Sequence, residues 1–115
     1  MPRFVILEHD HPCLHWDLML EAGEKLRTWR LAEMPRPGCR MEATAIGDHR
    51  RMYLDYEGPV SGDRGRVTRW DLGTFDWLAE NDQQTDLEFS GGKLSGTVHL
   101  YHQGGDTWCF VMDAH

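Results

Sequence analysis

The sequence predicts an all-β protein, a small closed antiparallel β-barrel of about eight strands with a polar cavity. Two observations and one argument lead there. Short runs rich in β-branched and aromatic residues recur along the chain, and Gly- or Pro-containing turn signals separate them. So many short antiparallel strands must hide their edges, and closure into a barrel does so most simply. A barrel of that size can hold a small polar cavity.

The elements follow in order. "RFVILEH" reads as the first strand, "HWDLMLEA" as the second, and "EKLRTWRLA" as the third, after a turn at Gly23. "PRPG" at 35–38 ends that strand. "RMEATAI" and "RMYLDYEGPV" read as strands that bracket "GDHR", a loop carrying His49. "GRVTRWDLGTFDWL" follows the turn "SGDRG", with at most a short helical turn near 76–82. "DLEFSGGKLSGTVHLYHQGGDTWCFVMDA" reads as three strands, the last two a hairpin around "HQGGD".

Composition narrows the function classes. A chain of 115 residues and 13.3 kDa is expected to form one domain over 1–115. With 40% hydrophobic and 27% charged residues it has the make-up of a soluble globular protein. No apolar run approaches the roughly 20 residues of a membrane span, and "MPRFVILEHD" does not read as a signal peptide, so a cytoplasmic location is expected. Cys13, Cys39 and Cys109 lie far apart without a C-x-x-C, which suggests reduced thiols rather than disulfides or a thiolate zinc site. A net charge of −7 argues against a general nucleic-acid coat. Local clusters at Arg50–Arg51 and at Arg64, Arg66 and Arg69 could still touch a few phosphates.

The richest chemistry lies in "EHDHPCLHWDLMLE", where His9, His11, His15, Asp10 and Asp17 crowd together in a chain with only 7 histidines. On a strand, His15 and Asp17 project to one face with Met19, while Trp16 and Leu18 project to the other. His9, at the end of the preceding strand, can join them across a short connection. Two imidazoles and a carboxylate form a ligand set for Mn, Fe or Zn that leaves positions open for water or substrate. A lone H-x-D would be a weak signal, since hairpin histidines are usually solvated; three candidate ligands this close strengthen it. His11 lies in the connection before Pro12 and is left out of the set.

Two other classes compete with an open metal site of this kind. One is a non-haem Fe(II) barrel enzyme, in which His15, Asp17 and His99 would form an H-x-D…H triad. The other is a non-catalytic barrel that binds a DNA end or a protein, stacking bases on exposed members of Trp16, Trp29, Trp70, Trp77 and Trp108. Tryptophans in a small barrel are more often core and wall packing.

The longer string "FVILEHDHPCLHWDLMLE" resembles the signature of the 3′-phosphoesterase domain family of bacterial DNA ligase D and its free-standing homologues. The pattern there runs F-V-x-x-x-H-D-x-x-x-L-H-x-D-x-R-L-E. "LRTWRLAEMP", "GDHRRMYLDYEGPVSGDRGRVTRWDLGTF" and "GGKLSGTVHLYHQGGDTWCFVMD" resemble the family's later motifs, in order and over nearly the whole chain. The resemblance implies a closed barrel with a Mn²⁺-dependent site, or one using another divalent transition metal such as Zn²⁺. It implies trimming of 3′-terminal ribonucleosides or removal of 3′-phosphates from a DNA or DNA–RNA primer terminus during non-homologous end joining. A ligase or polymerase partner acting in trans is part of the same implication. His9, His15 and Asp17 fall on the metal ligands, His49 on the histidine that faces the phosphate, and Tyr53 on the tyrosine four residues later. Asp10 keeps the acid of the H-D pair.

The departures from the pattern concern mostly cationic positions. Met19 stands where the family has Arg, Glu33 where it has Lys, Gly47 where it has Glu, and Met41 where a basic residue is expected, or Arg40 if the register slips by one. A charge-assisted contact contributes about 1.5–3 kcal/mol, so losing two or three of them weakens phosphate binding considerably. Either the phosphate clamp has moved to Arg30, Arg50, Arg51 or Arg64, or the 3′-end activity is reduced.

Overall fold

The computed structural model describes residues 1–114 as β1 (Arg3–His9), β2 (His15–Ala22), β3 (Lys25–Leu31), β4 (Arg40–Arg50), β5 (Gly58–Pro59), β6 (Arg66–Glu80), β7 (Gln84–Gly91), β8 (Ser95–Gly104) and β9 (Thr107–Met112), with one 3-10 turn at Arg51–Leu54. The strands pair antiparallel in the order β1-β2-β3-β4-β9-β8-β7-β6, and β6 pairs back onto β1 to close eight strands into a barrel. The short β5 adds to the start of β6, with Gly58 opposite Val67. No helix among the described residues is long and apolar enough to cross a membrane.

Alternation divides each strand between two environments. Side chains from all eight barrel strands fill the interior, among them Phe4, Leu18, Trp29, Phe75, Phe89 and Phe110. Phe4 stacks on Phe89 with ring centroids 4.3 Å apart. Full burial of such a side chain contributes about 1.5–3 kcal/mol, so this layer holds the barrel closed. "FVIL" in β1 is apolar at every position because its outer face is also covered. Val5, Leu7, Met19, Leu26 and Val67 form a second cluster outside the barrel, roofed by Leu54, Tyr53, Tyr56 and Val60. The polar cavity lies beside this second cluster, on the outer wall, while the barrel interior is packed with apolar side chains.

Two local expectations are corrected and one is tightened. His49 lies in β4 rather than in a loop, because the ladder with β3 continues past Gly47 and pairs Leu26 with His49 and Lys25 with Arg50. "RMYLDYEGPV" is not a strand: it folds as the 3-10 turn and the two-residue β5, and it buries Leu54 against the outer wall. The region 76–82 carries no helical turn. β6 runs to Glu80, and its cross-strand pairs, Trp77 with Leu87 and Glu80 with Thr85, outweigh local propensity. Asn81 Oδ1 then accepts from the Gln83 and Gln84 amides, at 2.8 and 3.0 Å, to close the turn.

Candidate metal centre

β1 and β2 place the histidine–carboxylate cluster by register. His9 is the partner of His15 across the ladder, and Leu7 that of Asp17, so all three candidate ligands reach the outer face at one end of the strand pair. Their ligand atoms lie within 4.8 Å of one another. His9 Nδ1 is 3.6 Å from Asp17 Oδ2, and His15 Nε2 is 3.2 Å from Asp17 Oδ1. His15 and Asp17 are buried, at 3% and 4% exposure, while His9 is half-buried toward the cavity.

The far side of each imidazole is tied to the backbone. His15 Nδ1 donates to the Cys13 carbonyl at 2.9 Å, and His9 Nε2 donates to the Arg64 carbonyl at 2.8 Å. A carbonyl can only accept, so those nitrogens carry protons and, in the neutral rings, the lone pairs point inward at the carboxylate. This is the outer-shell arrangement that orients histidines for a metal. His15 Nε2 and Asp17 Oδ1 are both buried and form no hydrogen bond. An unsatisfied buried polar atom costs about 1–3 kcal/mol, so two facing each other call for a positive charge between them. The donor set, two nitrogens and a carboxylate, suits a divalent transition metal.

The loop that supplies the Arg64 carbonyl is itself clamped. Asp10 Oδ1 accepts from the Arg66 amide at 2.7 Å. Gly65 has φ +76°, and a Cβ there would sit 2.2 Å from Asp10 Oδ1, so only glycine permits the approach. Asp10 is therefore a support that ties the loop to the cluster, and it does not line the cavity.

A cavity of about 320 Å³ opens over His9 and Asp17, with His49, Tyr53, Arg30 and Arg64 on its walls and Met19 among its apolar lining. His49 Nδ1 donates to the Gly47 carbonyl at 2.9 Å, which leaves Nε2 without that constraint. Its ring meets Tyr53 edge-on at 5.5 Å, and Tyr53 meets Tyr56 at 5.7 Å. The Tyr56 hydroxyl donates to the Pro59 carbonyl, so the aromatic chain runs from the cavity to β5. His49 and Tyr53 thus share the cavity wall through a strand end and a 3-10 turn.

The sequence reading left out His11, whose ring lines the cavity 6.5 Å from that of His9. Its place in the same crowded string was the available signal. The register question at 40–41 is resolved by burial: Met41 faces the barrel core and Arg40 the outside. Glu33 is exposed and away from the cavity. His99 does not join His15 and Asp17, because its ring nitrogens bond Asp86 at 2.7 Å and Asp113 at 3.1 Å. Among the tryptophans, Trp29 is in the core, Trp16, Trp70 and Trp108 pack against it, and only Trp77 is exposed, at 39%.

Fold and site together define a class: small closed β-barrels that carry a histidine–carboxylate triad on the outer wall, under a cavity that holds a further histidine and tyrosine. The profile of the DNA Ligase D 3′-phosphoesterase domain matches residues 7–102, a span that includes every cavity residue named above. The chain belongs to that family. Among its relatives, the multifunctional non-homologous end joining protein LigD of Pseudomonas aeruginosa is 32% identical over 110 residues, covering 85% of this chain and 13% of that protein. The multifunctional non-homologous end joining DNA repair protein LigD of Mycobacterium tuberculosis is 32% identical over 114 residues, covering 91% of this chain and 15% of that protein. The chain thus spans only a small part of the length of these relatives.

Proposed function

We propose that this protein is a divalent-metal-dependent phosphoesterase that processes 3′ ends of DNA or of DNA–RNA primer termini in non-homologous end joining. The observation that carries the reading is the orphaned pair His15 Nε2 and Asp17 Oδ1, converging with His9 Nδ1 beneath a cavity shared with His49 and Tyr53. Family membership and the names of the relatives supply the substrate class.

His9, His15 and Asp17 would hold the metal, with Mn²⁺ the preferred ion and Zn²⁺ the substitute. When bound, such an ion supplies Lewis-acid polarisation of a phosphoryl oxygen. The chain's own groups do the rest. The Cys13 and Arg64 carbonyls fix the two imidazoles in the liganding tautomer. His49, its Nδ1–H held by the Gly47 carbonyl, turns Nε2 to the cavity and, in the imidazolium form, donates the Nε2 proton to the phosphoryl oxygen or the leaving group. Tyr53 packs against the His49 ring and orients it, with its own hydroxyl available to the substrate. Asp10 acts at one remove by holding the loop that positions His9. A ligase or polymerase working on the same DNA end completes the reading as partner.

The test is release of phosphate or of a ribonucleoside from a 3′-end-labelled primer–template. Release is expected with Mn²⁺, and is expected to stop with EDTA, with His15→Ala and with Asp17→Asn. Activity unchanged in both variants would overturn the assignment.

A further inference from the structure

The site as described has an apolar Met19 where the family pattern places a cation, and the cavity must recruit positive charge from elsewhere. Two arginines line it, Arg30 and Arg64. Arg64 is committed: its Nε donates to the Ser61 carbonyl at 2.6 Å and its Nη2 to the Ser61 hydroxyl at 3.1 Å. Arg51, another basic residue of the region, is paired with Glu21. Arg30 differs from both. It is exposed, and among the described residues its guanidinium has no hydrogen bond and no carboxylate within ion-pair distance, so its donors are uncommitted to the protein.

Register sets that guanidinium beside the triad. On β3, Arg30 is the direct partner of Asp17 on β2 and of Thr44 on β4, so it rises from the same outer face as the triad. It borders both the main cavity and a second one of about 190 Å³, whose lining includes His15, Leu14 and Glu42. Arg30 therefore stands between the two openings that flank the triad. Glu42, the one carboxylate on the second cavity, is not paired with it.

We infer that Arg30 is the phosphate-binding residue of this chain, its planar donors gripping the non-bridging oxygens of the 3′-terminal phosphate and standing in for the cation absent at Met19. The inference rests on the phosphoesterase reading and deepens it. Arg30 grips oxygens directly, so its loss acts on phosphate and leaves the metal set intact.

The experiment uses the full chain with Mn²⁺, a primer–template ending in a 3′-phosphate, and inorganic phosphate as competitor. Arg30→Ala is expected to raise the inhibition constant for inorganic phosphate and the KM for the primer–template by about 10- to 100-fold. Its Mn²⁺ affinity stays at the wild-type value, and Arg30→Lys recovers part of the loss, because an ammonium keeps the charge but not the fork. A wild-type inhibition constant and KM in Arg30→Ala, with the unaltered protein active, would overturn the role of Arg30 alone. Loss of Mn²⁺ binding in Arg30→Ala would also overturn it, by making the residue a support of the metal set. If the unaltered protein neither releases phosphate nor is blocked by it, the phosphoesterase reading falls and Arg30 falls with it.

Discussion

The molecule contains two clusters built from the same side chains with opposite geometry. At one end of β1 and β2, His9 and His15 turn their outer nitrogens to backbone carbonyls and their inner nitrogens to a single carboxylate, leaving buried atoms unsatisfied. On β7 and β8, His99 does the reverse. One ring nitrogen meets Asp86 and the other Asp113, and Asp86 also accepts from the Gln84 side-chain Nε2 at 2.8 Å. The first cluster converges and has bonding capacity left over; the second diverges and has spent it. The difference teaches that histidine and aspartate in proximity do not make a site, whereas unspent capacity aimed at one point does.

The largest effect expected from breaking this contrast is at the converging cluster. Asp17→Asn or His15→Ala should reduce 3′-end activity by at least about 10³-fold, since the metal's contribution is lost as a whole. Asp86→Asn should leave the same assay within a factor of about two, because its cluster does not line the cavity over the triad. Single-turnover measurements on all three variants check both halves. Next in size is His49→Ala, expected to lower turnover by about 10²- to 10³-fold, the range of a general acid, with Mn²⁺ affinity retained. Loss of metal binding in that variant would move His49 into the ligand set.

Stability sharpens the same contrast. Mn²⁺ at about 100 times its dissociation constant should stabilise the wild-type fold by about 2.7 kcal/mol, and should leave Asp17→Asn unmoved in the same melting experiment. The smallest effect belongs to the diverging cluster and to pH. Burial pushes the His99 imidazole down, but its bonds to Asp86 and Asp113 more than offset this, and its pKa is raised above 6.5. The Gln84 side chain, then His99, hold the Asp86 carboxyl below 3.8. His99 thus stabilises the fold fully below its unfolded pKa, and this is lost as pH rises through the raised folded value. Asp86 contributes above its unfolded pKa, and this is lost as pH falls through the lowered one. Both are present together between about pH 4 and 6.5. His99→Gln should therefore cost stability most in that window, by no more than about 1 kcal/mol for so solvated a pair, and less at pH 8. A cost that grows with pH would contradict the assignment.

Much of the fold was legible because the strongest local patterns coincide with the ladders. The stretches "RFVILEH" and "HWDLMLEA" coincide with β1 and β2, and Gly23 turns the chain between β2 and β3. The parity that puts His15, Asp17 and Met19 on one face was also legible. Which face would be interior was not, because Met19 is as apolar as the core and its cover arrives from Leu54 and Val60, far along the chain. The same distance hid the His9 support, an Arg64 carbonyl that sits 55 residues away. "GDHR" has the composition of a turn, and only its pairing with Lys25 and Leu26 makes it strand. Arg30 was visible merely as one arginine of several. Its distinction, a guanidinium left without a partner opposite Asp17, exists only in three dimensions.

The central claim is that the converging cluster is a metal site and the diverging one is not. An electron paramagnetic resonance titration of Mn²⁺ into the wild type, Asp17→Asn and Asp86→Asn tests it most directly. The account predicts one tightly bound ion in the wild type, its loss in Asp17→Asn and its retention in Asp86→Asn. Binding that survives Asp17→Asn, or that disappears in Asp86→Asn, would contradict it.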